Sequence, residues 1–319
     1  MSRPGLPRIA ALCGPTGCGK TAIAVALRGR GLPIEVVSCD ALQVYRQLDA
    51  GTAKPTAEER AAVPTHLVDV VHPSEAMTAG RWADSARAAM ADVAGRGRWP
   101  LVVGGTGLYY RALVRGLAQI PAVDQALRGQ LADRWAALGA PALHAELARV
   151  DPAYAATTPV ANRQRVLRAL EVHAATGQPL SHWHLQTPAP RFEVWLAVLE
   201  PEPGRHAAAV ERRARAMAGP LLAEVAALLR GGMPATAPAM QALGYRDAAQ
   251  IVLGNGDPAG FADRLARDHL HYAKRQRTWF RSEAAALRID PAAADAVDRI
   301  EAGVRAWFGA AVGLGPITR

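Results

Sequence analysis

The stretch Gly14-Pro15-Thr16-Gly17-Cys18-Gly19-Lys20-Thr21 follows a short apolar run, Arg8 to Cys13, and leads into Lys20 to Arg28, where Ile23, Ala24 and Leu27 recur at helical spacing. Strand, glycine-rich turn and helix in that order, with the spacing Gly-x-x-x-x-Gly-Lys-Thr, is the pattern of a phosphate-binding loop. The glycines let backbone amides converge on phosphate oxygens, and the helix N-terminus adds a favourable dipole. Lys20 supplies a positive charge, and the Thr21 hydroxyl is suited to Mg2+. All eight residues are candidate diphosphate or nucleotide contacts, Lys20 is a candidate catalytic group, and Thr21 is the candidate metal ligand.

Outward from the loop, Ile34 to Ser38 reads as a second strand ending at Asp40, and His66 to Val71 as a third. A helix fits Ala79 to Gly95. Pro100 to Val103 is a further buried strand, running into Gly104-Gly105-Thr106. Strands alternating with helices indicate a parallel wound sheet, with ligands at the C-terminal ends of its strands. Between Pro121 and Pro190 strand signals give way to helical stretches at Asp124 to Leu138, Pro141 to Val150 and Asn162 to Thr176. Phe192 to Leu199 alternates as a returning strand, followed by helices at Gly204 to Gly231 and Phe261 to Leu287 and a last one ending near Phe308. The expected fold is α/β, a P-loop NTPase-like parallel-sheet core with an inserted helical domain. Residues 1–120 form the first part of the core, 121–190 the insert, and 191–319 the core completion and C-terminal helices.

With 319 residues, 50% hydrophobic and 20% charged, the chain is long enough for one sizeable core and an added lobe. Its formal charge of +9 favours a polyanionic partner without separating RNA from DNA. Only three of the 37 basic residues are lysines: Lys20, Lys54 and Lys274. The apolar stretch Ile9 to Cys13 is too short for a signal-peptide core and no run approaches spanning length, so a cytoplasmic protein with no membrane partner is expected. Cys13, Cys18 and Cys39 lack CxxC spacing and read as reduced. The pairs His182/His184 and His269/His271 sit two apart, so on a helix they diverge and make poor joint metal ligands.

A phosphate loop identifies a ligand, not a reaction. Machines driven by nucleotide hydrolysis place an acid at the end of a buried strand to hold magnesium. Here Leu101-Val102-Val103 runs into Gly104-Gly105-Thr106-Gly107-Leu108-Tyr109 with no acid; Asp69 is a candidate substitute, so an ATPase or kinase reading is weakened without being excluded.

Several separated motifs then converge. Asp40-Ala41-Leu42-Gln43 leads to Gly51-Thr52-Ala53-Lys54-Pro55; Gly104 to Tyr109 follows; then Gln164-Arg165-Val166-Leu167-Arg168, Gly244-Tyr245-Arg246, and Ala273 through Lys274-Arg275-Gln276-Arg277-Thr278-Trp279-Phe280-Arg281. In this order they resemble the bacterial tRNA dimethylallyltransferases, also called tRNA isopentenyltransferases, from about Arg8 to Arg281. The resemblance implies transfer of a dimethylallyl group from dimethylallyl diphosphate to N6 of the adenosine 3′ of the anticodon. It gives Asp40 the general-base role and puts Thr106 beside the reacting groups, against plainer readings as a turn aspartate and a helix cap. It also implies tRNA contacts at Asp40 to Gln43, Thr106, Arg128, Gln164 to Arg168, Gly244 to Arg246 and Lys274 to Arg281.

The residue chemistry agrees. Diphosphate is the leaving group, so catalysis must neutralise charge growing on its oxygens, and no hydrolytic water is needed. Arg165 and Arg168 lie three apart on one helix face, with Val166 and Leu167 available for packing. Lys274, Arg277 and Arg281 share a face interleaved with Tyr272, Trp279 and Phe280, a mixture suited to phosphates and splayed bases. The chain departs from the family at Pro159 to Asn162, where His-Pro-Asn-Asp is usual, at Ala41 for serine, at Leu270 for arginine and at Asp247 for glutamine. These bear on tRNA docking and leave the phosphate motif intact. Mg2+ is the expected cofactor and a monomer the expected state. An adenylate prenyltransferase acting on free nucleotide and an NTP-dependent nucleic-acid-binding protein are the alternative readings.

Overall fold

The computed structural model describes residues 6–118, 120–186 and 189–309. The N-terminal 1–5 and the tail 310–319, where the sequence carries no functional signal, lie outside the described residues. These divide into two compact units, one drawn from Met1–Val114 and Arg191–Arg319, the other from Arg115–Pro190.

The first unit begins with β1 (Arg8–Cys13), α1 (Lys20–Gly29), β2 (Ile34–Cys39), α2 (Ala57–Ala62), β3 (Thr65–His66), α3 (Ala79–Gly95), β4 (Trp99–Gly104) and α4 (Gly107–Val114). The second unit is helical: α5 (Gln125–Val150), α6 (Pro152–Ala156), α7 (Arg163–Thr176) and α8 (Leu180–Leu185). The chain then returns to the first unit as β5 (Glu193–Leu199), α9 (Pro203–Arg230), α10 (Tyr245–Val252), α11 (Phe261–Arg281), β6 (Leu287–Ile289) and α12 (Ala296–Gly309).

The six strands make one sheet in the order β3-β2-β4-β1-β5-β6, with every pair parallel. β5 joins the free side of β1 over its full length, from Arg8 opposite Glu193 to Cys13 opposite Val198. Cys13 of β1 and Cys39 of β2 both stand opposite Gly104 of β4, so the strands finish level. The phosphate loop, Asp40 and Thr106 thus leave one edge of the sheet, where a parallel sheet presents ligand sites. β1, β2 and β4 are buried along almost their whole length, covered on both faces, which is why they read as continuous apolar runs rather than as alternations. Leu12, Leu27, Ile34 and Leu101 pack with Ile300 and Phe308 of α12. Trp82 of α3 is fully buried, stacks on Tyr109 at 4.8 Å and donates from Nε1 to Ser38 O at 3.1 Å.

The helical unit has its own core of Leu131, Leu143, Leu147, Val166, Leu167 and Leu170. α5 breaks at Gly139 (φ 77°), ahead of Pro141, matching two helical stretches in the sequence. Asn162 caps α7 through the Arg165 amide.

Two expectations change. The strand expected over His66 to Val71 shortens to Thr65–His66, because Leu67 and Asp69 take left-handed φ values of 63° and 58° that end the extended run. The helix expected over Phe261 to Leu287 stops at Arg281, and Leu287 instead opens β6, paired with Ala197. Among the described residues, no helix is long and apolar enough to cross a membrane.

Candidate functional site

In the loop, Gly17 and Gly19 hold left-handed φ values of 77° and 82°, a conformation that costs glycine nothing and turns successive amides toward one point. The Lys20 ammonium donates to Gly14 O at 3.0 Å and Pro15 O at 2.7 Å, which draws it across the loop. All the polar groups of Thr16 are held from the C-terminal half of the unit. Its amide donates to Gln276 Oε1 at 2.7 Å, its carbonyl accepts from His206 Nε2 at 2.8 Å, and its hydroxyl accepts from Arg213 Nη2. A carbonyl can only accept, so His206 carries its proton on Nε2; its Nδ1 is buried without a partner. Burial lowers the His206 pKa, and the nearby cations Arg277, Lys20 and Arg213 add to the effect, so the ring is neutral near pH 7.

The loop opens on a cavity of about 340 Å³ whose lining includes Thr16, Lys20, Thr21, Asp40, Gln43, Lys54, Arg213 and Gln276. Asp40 is both a turn residue and a cavity residue. Its Oδ1 accepts from Leu42 N at 2.8 Å and Gln43 N at 3.3 Å, which fixes the carboxylate, and no hydrogen bond engages Oδ2 among the described residues. Thr106 is tied to the same turn: its hydroxyl accepts from Ala41 N at 3.0 Å and its amide donates to Cys39 O at 3.1 Å. The hydroxyl therefore braces the Asp40 turn and does not cap α4. Burial of Tyr272 of α11, together with the Asp40 charge, pushes its phenol pKa up and keeps it protonated, against a smaller opposing effect of the Thr106 side chain. Burial likewise raises the Cys13 and Cys39 thiols, which remain neutral.

Asp69 has no opening for a metal. Its Oδ1 accepts from Lys54 Nζ at 2.5 Å and its Oδ2 from Arg60 Nη1 at 2.9 Å. Burial alone would raise its pKa, but these two hydrogen bonds hold it below the usual carboxylate value. Lys54 also donates to Tyr45 O at 2.6 Å and Asp49 Oδ1 at 2.7 Å, so the lysine of Gly51-Thr52-Ala53-Lys54 pins its own segment at the cavity rim.

Burial corrects several residues expected to touch RNA. Tyr245 is 0% exposed; its hydroxyl donates to Glu224 Oε1 at 2.6 Å and accepts from Gly51 N at 3.2 Å, while Glu224 Oε2 accepts from Asp49 N and Ala50 N. Gly244 is buried as well, so of this motif only Arg246 is exposed; the motif supports the 49–51 turn. Gln276 and Phe280 turn inward from α11, at 5% and 1% exposure, and Val166 and Leu167 turn inward from α7 into the helical unit's core. These five side chains pack, and RNA has no access to them. Lys274, Arg275, Thr278 and Arg281 remain exposed on α11, with Arg277 and Trp279 half-buried. Arg111 lies over the Trp279 ring at 4.4 Å. On the helical unit, Arg128 and Gln164 are exposed. Arg165 donates to Tyr154 Oη at 3.1 Å, and both Arg128 and Arg168 approach Glu171 at 3.5 Å.

Arg213 and His206 were not foreseen. They sit in a long helix whose basic run, Arg212-Arg213-Ala214-Arg215, looks like any solvated face, and only the fold shows that Arg213 turns toward the loop.

A family model described as IPP transferase matches residues 43–283, and one described as Isopentenyl transferase matches residues 7–66. A tRNA dimethylallyltransferase of Thiobacillus denitrificans is 44% identical over 97% of this chain and 100% of its own length. One of Anaeromyxobacter dehalogenans is 46% identical over 89% of this chain and 95% of its own. Among solved structures, the tRNA isopentenylpyrophosphate transferase of Bacillus halodurans superposes with a TM-score of 0.68 at 33% identity, covering 95% of this chain and 99% of that one. The glycine-rich loop and the fixed Asp40 carboxylate share one cavity, the chain is similar to these enzymes over nearly its full length, and it belongs to the IPP transferase family of prenyl-transferring enzymes.

Proposed function

We propose that the protein transfers a dimethylallyl group from dimethylallyl diphosphate to N6 of the adenosine 3′ of the anticodon in tRNA, releasing diphosphate. One observation carries this reading: the phosphate loop and the Asp40 carboxylate line the same cavity, with Lys20 and Arg213 on its wall. The bond between C1 of the dimethylallyl group and the diphosphate oxygen breaks as N6 bonds to C1. Negative charge then grows on the leaving diphosphate, and the loop amides, Lys20 and Arg213 are the groups that meet it. The attacking N6 must shed a proton, for which Asp40 Oδ2 is the acceptor, steadied by the two amides on Oδ1.

Mg2+ fits this donor set, since Thr21 offers a hard hydroxyl oxygen on the cavity wall and diphosphate oxygens complete such a site with water. When bound, the ion supplies charge that stabilises the leaving group. RNA is favoured over free nucleotide because the exposed cations of α7 and α11 have no task in binding a mononucleotide. The reading is of a cytoplasmic monomer.

The test mixes the protein, Mg2+ and radiolabelled dimethylallyl diphosphate with an adenosine-containing anticodon stem-loop, and in parallel with AMP and ATP. Label in RNA alone is expected; label only in nucleotide, or phosphate release from ATP without label transfer, overturns it. Asp40→Asn should slow turnover about 100-fold or more with little change in RNA affinity. Unaltered turnover removes Asp40 as the base.

A further inference from the structure

We propose that Gln276 is a positioning residue through which RNA seated on α11 tightens the phosphate loop on diphosphate; this rests on the reading of the reaction given above. The Gln276 carboxamide is buried and both of its ends are used. Oε1 accepts from Thr16 N at 2.7 Å in the loop after β1, and Nε2 donates to Gly105 O at 3.0 Å in the loop after β4. Only one orientation of the amide satisfies a donor on one side and a carbonyl on the other, so the assignment is fixed by chemistry. The fit is close: a Cβ on Gly105 would stand 2.2 Å from Nε2.

One side chain of α11 therefore bridges the two loops that carry the diphosphate contacts and Thr106. Among the described residues Thr16 is otherwise gripped by His206 and Arg213 of α9, so α11 acts on Thr16 through Gln276. The same helix carries Lys274, Arg277 and Arg281, for which no carboxylate partner occurs among the described residues. Phosphates of bound RNA are the counter-charges these cations lack. A helix is stiff over so short a distance, so fixing its cationic face fixes Gln276, and with it the amide that orients the loop. Reciprocity requires diphosphate in the loop to tighten RNA on α11 by the same factor.

The experiment titrates inorganic diphosphate with Mg2+ into the full chain by calorimetry, with and without a saturating anticodon stem-loop. In the native protein RNA should tighten diphosphate by about fivefold or more, within the usual range of coupling between two sites. In Gln276→Leu, which keeps the bulk and removes both hydrogen bonds, the factor should fall to about one while RNA affinity measured alone holds within about twofold. Gln276→Glu, which still accepts from Thr16 N but no longer donates to Gly105 O, replaces it if the leucine variant fails to fold, and a reduced factor is expected there too. Independent binding in the native protein, or undiminished coupling in a folded variant, overturns this inference. Absence of any RNA binding to the native protein would instead overturn the functional reading beneath it.

Discussion

Among the described residues the phosphate loop and helix α11 share one hydrogen bond, Thr16 N to Gln276 Oε1, and they hold their functional groups in different ways. In the loop the shape is set by the backbone, with Gly17 and Gly19 at left-handed φ, so the spacing of consecutive residues is the design. In α11 the working parts are side chains radiating at about 100° per residue, so neighbours do opposite jobs. Lys274 and Arg281 face solvent, while Gln276 and Phe280 face the core. A motif on a loop can be carried over residue by residue; a motif on a helix has to be divided between its faces first.

The sharpest way to break this contrast is to truncate α11 on each face in turn. Phe280 is 1% exposed and sits edge-on to Tyr110 with ring centroids 5.8 Å apart. Phe280→Ala should lower unfolding stability by about 3–5 kcal/mol, the range for deleting a buried aromatic. Arg281→Ala, one residue on, should change stability by less than about 0.5 kcal/mol, as exposed substitutions do, and weaken RNA binding instead. Denaturant melts and RNA titrations on both variants decide it: equal losses of stability would mean that the helix has no functional division.

A somewhat smaller effect comes from pH acting on the same inward face. His269 is buried with neither ring nitrogen hydrogen-bonded, while His271 is exposed, the divergence expected of positions two apart on a helix. Burial, with the Arg213 charge adding, lowers the His269 pKa to about 4. Between its ordinary value near 6.5 and about 4 the unfolded chain holds a proton that the folded chain refuses. Stability is therefore complete above that window and falls as pH drops through it, by up to about 3 kcal/mol. His206 is shifted in the same direction and adds to the slope. Thermal melts from pH 7 to pH 4 should show the loss, and His269→Leu should flatten it; an unchanged slope in that variant would place the proton uptake elsewhere.

How much of this the sequence discloses follows from the same distinction. β1, the loop, α1 and the end of β2 at Asp40 were all legible, because each is local and marked by a short pattern. The helical unit between two parts of the sheet was legible as a loss of strand signal. β6 was not, since three residues make no period and its pairing with Ala197 to Leu199 is set by tertiary context. Arg213 and His206 were hidden for another reason: on α9 the residues that face the loop are chosen by packing against α11, which no local spacing encodes. Tyr245 was assigned to the wrong job because a motif shared within a family marks importance and says nothing about burial.

The smallest effect, and the finest test of the contrast, lies on α7 in the helical unit. Val166 and Leu167 point into that unit's core, Arg165 and Arg168 beside them stay half-buried, and the two are not held alike. Arg165 is anchored: its Nε donates to Tyr154 Oη at 3.1 Å, its Nη1 to Thr157 O at 3.3 Å, and its guanidinium lies 5.0 Å from the Tyr154 ring. Among the described residues Arg168 has only a 3.5 Å approach to Glu171, which Arg128 shares at the same distance. An anchored guanidinium loses little entropy on meeting a phosphate, and a loosely held one must be ordered first. Both Arg165→Ala and Arg168→Ala should reduce the slope of log affinity against log salt by about 0.7–0.9, the amount for one phosphate contact. At fixed salt Arg165→Ala should cost more affinity, by a few-fold, because it removes the pre-oriented donor. Matched salt titrations of the two variants measure this. Equal losses would mean that the Tyr154 anchor does not prepare Arg165 for RNA, and unchanged slopes would make this face of α7 a solvated surface like any other.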